Sequence, residues 1–418
     1  MTQRKVALAI AGRVLAAALV LFALPSSAWA GPEFKVLHTF IGGSDAWFPN
    51  GPLTLDSAGN LYGTSLYGGS TTACGGYGCG TVFQLALKSG HWGESVLYNF
   101  ADFTSYAGAY GPLVLDSSGN IYGIGTFAYY NDGEYYGGEL FQVLDNAGAY
   151  TGSALHNFVG GNDDGAQPNP GLVRDSAGNL YGSTQVGGDL NNNGVVFQFS
   201  HDGDGNWTET LIYEFGQGKS SCPVGAMAID KAGNLYGTTA CGGAYGVGSV
   251  YRLSLAEGVW TIESLYDFTP DVMGYSPEPG GLAMDAAGNL YVSTQYDGSY
   301  GVGMLFRLTP TVGYWKFSLI HSFSGSTDGG YPAGGLAIDS SGSIYGTTLA
   351  GGLFQYGTVY KFAHGTKAGW NETVLHNFVG TTDGYNAQGV ILDSSGNVYG
   401  VAEQGGAKLD GVAYEITQ

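Results

Sequence analysis

The chain has 418 residues, with 14 Lys+Arg against 34 Asp+Glu and a formal net charge of −20. So acidic a surface repels nucleic acid and anionic lipid and excludes both as partners. Only 11% of the residues are charged, whereas glycine reaches 74, tyrosine 30 and phenylalanine 20, a balance that excludes a helical protein and suits short strands and tight turns.

The first thirty residues read as a secretory signal. Arg4, Lys5 and Arg13 precede the apolar run Val14 to Leu24, which leads through Pro25 to an A-x-A cleavage site at Ala28-Trp29-Ala30. A run this short does not reach the roughly twenty residues a membrane-crossing helix needs, so stable membrane insertion is not expected. Cleavage near Ala30 removes three bases and no acids, leaving 11 basic and 34 acidic residues, net −23. The mature chain, 31–418, is expected to be one secreted or periplasmic domain and a monomer.

After a lone strand-like segment, Phe34-Lys-Val-Leu-His-Thr-Phe40, comes a phrase written seven times: Asp56-Ser-Ala-Gly-Asn-Leu-Tyr-Gly, with its Asp again at 116, 175, 230, 285, 339 and 393. The spacings are 60, 59, 55, 55, 54 and 54 residues. A period of that size marks an array of supersecondary units, each unable to bury its apolar face alone. One unit reads as four strands: A, Gly335 to Asp339; B, Ser343 to Thr348; C, Gly357 to Phe362; and D, Trp370 to Phe378. The A to B link, Asp-x-x-Gly-Asn, is a hairpin turn in which Asp accepts backbone N–H groups and Gly supplies a positive φ. Strand D places an aromatic eight residues before its closing Phe in every linking copy, from Trp92/Phe100 to Trp370/Phe378.

These units predict an all-β, seven-bladed β-propeller with four antiparallel strands per blade. The chain opens on a lone D strand and finishes on a lone A-B-C set, Gly389 to Ile416, so pairing the two closes the ring and removes free sheet edges.

Antiparallel order puts the A–B and C–D turns on one face and the B–C and D–A connections on the other. The second face varies: from the turn Asp to the Gly opening strand C the distance is 24, 22 and 19 residues in the first three copies and 18 in the last four. Binding residues sit on such extensions. They carry Tyr67, Tyr77, Phe127, Tyr129, Tyr130, Tyr135 and Tyr136, with Trp47, Phe48, Tyr106 and Tyr110 in the adjoining D–A connections. With Asp45 nearby, these rings offer flat surfaces on which a neutral sugar stacks; the alternative is that the rings pack the loops against each other.

Asp45, Asp102, Asp163, Asp164, Asp328 and Asp383 recur in the D–A connections, where they either hold calcium at the channel mouth or serve as turn residues. Asp189 to Gly194 and Asp202 to Asn206 have calcium-loop-like spacing but lack the closing Glu. The seven Tyr of the Leu/Ile/Val-Tyr step, and the His or Tyr of strand D (His38, Tyr98, His156, Tyr213, Tyr266, His321, His376), recur in the blades and read as structural. No nucleophile elbow, H-E-x-x-H or haem motif is present. Four cysteines in an exported chain read as two disulfides: Cys74 with Cys79 inside one loop, and Cys222 with Cys241 across the Lys231 to Asn234 turn.

The combined phrase V-L-H-x-F, G-x-L-x-x-D-S-x-G-N-L-Y-G-T-T, G-G, G-T-V-F-x-L resembles the GloVer tandem-repeat family of exported bacterial proteins, from Val36 to Ile416. The resemblance implies an extracellular or cell-surface setting and brings no known activity or site residues with it. The reading is therefore a binding scaffold for carbohydrate or a cell-envelope component, on the variable face near blades 1, 2 and 7, with no cofactor required. The alternative is a polysaccharide hydrolase or lyase with paired carboxylates at the channel mouth.

Overall fold

The repeated phrase builds its own hairpin. In the computed structural model, which describes residues 31–69, 74–100, 107–109, 111–127, 129–131, 134–189, 192–202, 205–216, 220–270, 279–365 and 369–418, Asp56 Oδ1 accepts the N–H groups of Ala58 and Asn60, each at 2.8 Å. Its Oδ2 accepts the Asn60 amide at 2.8 Å and the Tyr62 hydroxyl at 3.1 Å. Gly59, at φ 88°, returns its N–H to the Asp56 carbonyl at 3.2 Å. The same side-chain latch recurs at Asp116, Asp175, Asp230, Asp285 and Asp393. At Asp339 the Asn is Ser343, and the Ser341 hydroxyl donates instead, at 2.6 Å.

Burial pushes these carboxyls up, but the amide, backbone and tyrosine donors outweigh it and hold Asp56, Asp175, Asp230 and Asp285 below the usual carboxylate range. Asp339 is held low in the same way with Ser341 as the side-chain donor. The partner hydroxyls move the other way: burial and the adjacent carboxylate lift Tyr122, Tyr181 and Tyr236 to about 12.

Each latch joins strands A and B of a four-stranded antiparallel unit. The first unit is Ala46–Leu55, Leu61–Gly68, Thr81–Lys88 and His91–Asn99. In the next two, strand A is broken in two: Ala107–Ala109 and Val114–Leu115 beside Ile121–Phe127, then Gly165–Pro168 and Val173–Arg174 beside Leu180–Gly187. Four complete strands return in Ser221–Ile229 to Val259–Asp267, Pro279–Met284 to Tyr314–Ser322, and Gly330–Ile338 to Trp370–Asn377. The last unit has Tyr385–Leu392, Val398–Gln404 and Val412–Thr417 from its own segment, and its outer strand is Glu33–Thr39, with Lys35 opposite Glu415. Among the described residues the elements are strands, apart from one 3₁₀ turn at Cys74–Gly76. Residues Pro32–Gln418 form one compact unit.

Packing between units follows the repeat. Every strand-D Phe is at most 1% exposed: Phe40, Phe100, Phe158, Phe215, Phe268, Phe323 and Phe378. Each donates its N–H to the carbonyl of the glycine opening strand C, and Phe40 of the leading strand does so to Gly411 at 3.1 Å, as Phe378 does to Gly357 at 3.1 Å. One core cluster joins Leu53, Leu61, Phe83 and Leu85 of the first unit to Tyr399, Val401 and Ala413 of the last. The Gly of the Leu-Tyr-Gly step is explained here too. A Cβ on Gly63 would lie 2.4 Å from Phe83 Cζ, so the small residue makes room for the core aromatic.

Candidate functional site

The inner strands surround a cavity of about 230 Å³ lined by residues of every unit, among them Pro52, Pro112, Pro170, Ala226, Leu282, Gly335 and Gln388. They touch through backbone: a Cβ on Gly51 would lie 2.4 Å from Gly111 Cα. In the segments that lead into the cavity-lining residues, such as Asn50, Ala333 and Gln388, one position is strained in unit after unit. Phe48, Gln167, Cys222, Tyr331 and Asn386 all hold left-handed backbone, with φ of 55°, 55°, 54°, 58° and 63°. A non-glycine residue there costs on the order of 1 kcal/mol or more and persists only when its surroundings impose it.

The surroundings do so through the preceding unit. Phe48 donates its N–H to Asp410 O at 3.2 Å, Gln167 to Gly137 O at 3.2 Å, Cys222 to Asn193 O at 3.0 Å and Tyr331 to Val302 O at 2.7 Å. All five side chains are half-buried, and they differ in chemistry although their backbone is the same. Tyr331 meets Tyr296 edge-on at 5.7 Å. Asn386 donates to Glu403 Oε2, as does Gln388 at 3.3 Å. Burial pushes the Glu403 carboxyl up, with Gln404, Gln388 and Asn386 pulling against it. Asn169 donates to Ser183 Oγ at 3.0 Å and to Pro223 O at 2.8 Å. Beside the cavity, whose own lining includes Gln388, these segments thus carry amides, a carboxylate and aromatic rings, the mixture that binds neutral polyhydroxylated molecules.

Of the sequence-predicted residues, Trp47 and Phe48 join Tyr67 and Tyr77 in one aromatic group, with Trp47 ring centroids 5.1, 5.5 and 5.6 Å from the other three. The rings pack on each other, yet Tyr77 remains 53% exposed. Asp45 turns inward: its carboxylate takes the N–H groups of Ile41 at 2.9 Å and Ala46 at 3.0 Å and the His38 ring at 3.3 Å. Tyr106, Tyr110 and Asp102 lie outside the described residues. Tyr129–Asn131 and Glu134–Tyr136 pair as a small hairpin, with Tyr130 opposite Tyr135; the side chains of Tyr129, Tyr130, Tyr135 and Tyr136 lie outside the described residues.

Both expected disulfides are present, Cys74 with Cys79 and Cys222 with Cys241, and they fit an oxidising, extracellular or periplasmic setting. Four of the described aspartates of the D–A connections turn to histidines. Asp45, Asp164, Asp328 and Asp383 each bond the strand-D histidine before them, at 3.3, 3.1, 3.0 and 2.7 Å. Asp202 forms the familiar turn latch with Asn206, accepting its N–H at 2.9 Å and its amide at 3.0 Å.

Sequence reasoning missed Gln167, Tyr331, Asn386, Glu403 and Glu139. A signal existed for the strained position: Pro49, Pro168, Pro223 and Pro332 each stand seven residues before a turn Asp, immediately after it. Glu139 is 5% exposed, and burial pushes its carboxyl up to about 7. It opens strand C, where other units carry Thr81, Val195, Ser249, Met304, Thr358 or Val412.

The sequence matches the Gloeobacter/Verrucomicrobia repeat over residues 70–283 and 278–418. Comparison with curated proteins returns no match. Among solved structures, the polysaccharide lyase Uly1 is similar at 9% identity over 91% of this chain and 92% of that one, with a TM-score of 0.53. A puromycin hydrolase mutant complexed with PGG is similar at 11% identity over 84% of this chain and 50% of the other, with a TM-score of 0.52. These likenesses speak for an all-β, propeller-like fold alone.

Proposed function

Since the chain belongs to the Gloeobacter/Verrucomicrobia repeat family, we propose that it is an exported seven-bladed propeller, closed by its leading strand, that serves as a binding scaffold. The ligand is a neutral carbohydrate or another polyhydroxylated cell-envelope component, held across the mouth of the axial cavity.

The observation that carries this reading is the strained position. Phe48, Gln167, Cys222, Tyr331 and Asn386 share one unfavourable backbone conformation but no side-chain chemistry. Structural residues of this chain behave oppositely, since the turn Asp is the same in every copy. Strain held in common with side chains that differ is the pattern of a surface displaying recognition groups from a fixed frame. A net charge of −20 favours a neutral partner over an anionic one. The hydrolase or lyase alternative needs a second carboxylate within about 10 Å of Glu403.

A glycan array on the mature chain tests the reading. Binding to neutral polysaccharides is expected, falling at least tenfold in Tyr331→Ala and Glu403→Gln with the melting temperature kept. Absence of signal on every glycan, or binding unaffected by both substitutions, contradicts it.

A further inference from the structure

Away from the mouth, three His-Asp-Glu clusters recur among the described residues at the outer seams between neighbouring units: His38, Asp45 and Glu94; His156, Asp164 and Glu209; and His321, Asp328 and Glu372. In each, the imidazole comes from the outer strand of one unit, the aspartate from the connection, and the glutamate from the outer strand of the next unit. Within a cluster the donor atoms lie within 4.8 Å of one another. His Nε2 stands 3.3, 3.1 and 3.0 Å from the aspartate and 3.9, 3.4 and 3.8 Å from the glutamate. An ion bound tetrahedrally at about 2.0–2.1 Å separates its ligand atoms by roughly 3.3 Å, so these sets need little movement to close on one.

A second observation points the same way. Glu209 Oε1 and Glu372 Oε1 are buried and have no hydrogen-bond partner. A buried carboxylate oxygen without a donor is costly, and although Oε2 is the oxygen nearer the imidazole, a cation held by both oxygens of the carboxylate relieves that cost. The seam between the sixth and seventh units supplies a natural contrast. His376 bonds Asp383 at 2.7 Å there, but the glutamate position is Phe34, whose ring stacks on the imidazole at 3.8 Å and 13°.

We propose that each of the three clusters binds a divalent transition-metal ion of the zinc class, joining the outer strands of adjacent units. One imidazole nitrogen with two carboxylate oxygens favours Zn²⁺ over the oxygen-seeking Ca²⁺ and Mg²⁺. The histidine side chains are 21%, 24% and 23% exposed, leaving a route for the ion and a position for water.

Equilibrium dialysis of chelator-stripped mature chain against Zn²⁺, with elemental analysis, tests this directly. Three bound ions per chain are expected, one for each cluster, and two in each of Glu94→Gln, Glu209→Gln and Glu372→Gln. Phe34→Glu should raise the number to four; should that variant fail to fold, the three glutamine variants decide the matter. Fewer than three ions in the parent, or an unchanged number in the glutamine variants, would show that the clusters are hydrogen-bonded cross-links only, and preferential retention of Ca²⁺ would overturn the zinc-class assignment.

Discussion

The indole of Trp92, in the outer strand of the first complete unit, meets the Tyr399 ring of the last unit at 6.4 Å and 60°. The same contact joins Trp207 to Tyr122 at 5.5 Å, Trp260 to Tyr181 at 6.5 Å, Trp315 to Tyr236 at 6.1 Å and Trp370 to Tyr291 at 6.3 Å. The repeat tyrosine therefore works twice, its hydroxyl latching its own turn and its ring receiving the tryptophan of the next unit. Trp92→Ala should cost roughly 2–4 kcal/mol, within about 1 kcal/mol of Trp315→Ala, in urea unfolding. A near-neutral Trp92→Ala beside a costly Trp315→Ala would mean that the first and last units do not support each other.

Acid should unfold the protein through its turns. Asp56, Asp175, Asp230, Asp285 and Asp339 have folded values below their unfolded one. Their contribution is complete above the unfolded value near 3.9 and is lost as pH falls through the folded value. Melting temperature is expected to drop steeply below about pH 4, and Asp175→Asn should make that slope shallower while lowering stability at pH 7. Identical slopes in parent and variant would contradict the assignment.

Glu139 has the opposite sign. Burial raises its folded value from 4.5 to about 7, so the folded chain holds the proton more tightly than the unfolded one. That stability is full below the unfolded value and is lost as pH rises through 7, a difference on the order of 3 kcal/mol. Glu139→Gln should therefore stabilise the chain at pH 8 to 9 and change it little at pH 4, as read by chemical denaturation at both values. A variant less stable than the parent at pH 9 would show that the ionised carboxylate has a partner.

Gly152 occupies the position that is glutamate in Glu94, Glu209 and Glu372, and it faces Tyr98 where those face histidine. A Cβ on Gly152 would lie 2.3 Å from Tyr98 Cδ2. Gly152→Ala should cost about 1–3 kcal/mol. In a Tyr98→Ala background the same change should be nearly free, a coupling of about 1–2 kcal/mol in a double-mutant cycle. Additive costs would remove the matched-pair account of the seams.

The strand plan was legible because Asp56 and its copies carry the whole turn in one side chain, and the spacing from Trp92 to Phe100 marks strand D in any unit. The disulfides were legible for the same reason, since register about the Lys231 turn brings Cys222 toward Cys241. The mouth was not. The strain at Gln167 and Tyr331 comes from carbonyls of the preceding unit, Gly137 and Val302, and no spacing within one repeat reports a bond to another. Glu94, Glu209 and Glu372 escaped notice because each meets its histidine across a seam, about fifty residues away in sequence. The aspartates of the D–A connections could be read either as turn residues or as cation ligands because both roles use the same residue, and their pairing with the strand-D histidines lies outside what spacing within one repeat reports.

The closure proposed for the ring underlies the placement of the mouth, the seams and both faces, and it can be tested at one residue pair. Lys35 stands opposite Glu415 across the leading and trailing strands. In a Lys35→Cys, Glu415→Cys variant treated with a short bis-maleimide at high dilution, peptide mapping should find the two positions joined within one chain in high yield, with the circular dichroism of the parent. Absence of that link, or links formed only between chains, would contradict the closed propeller.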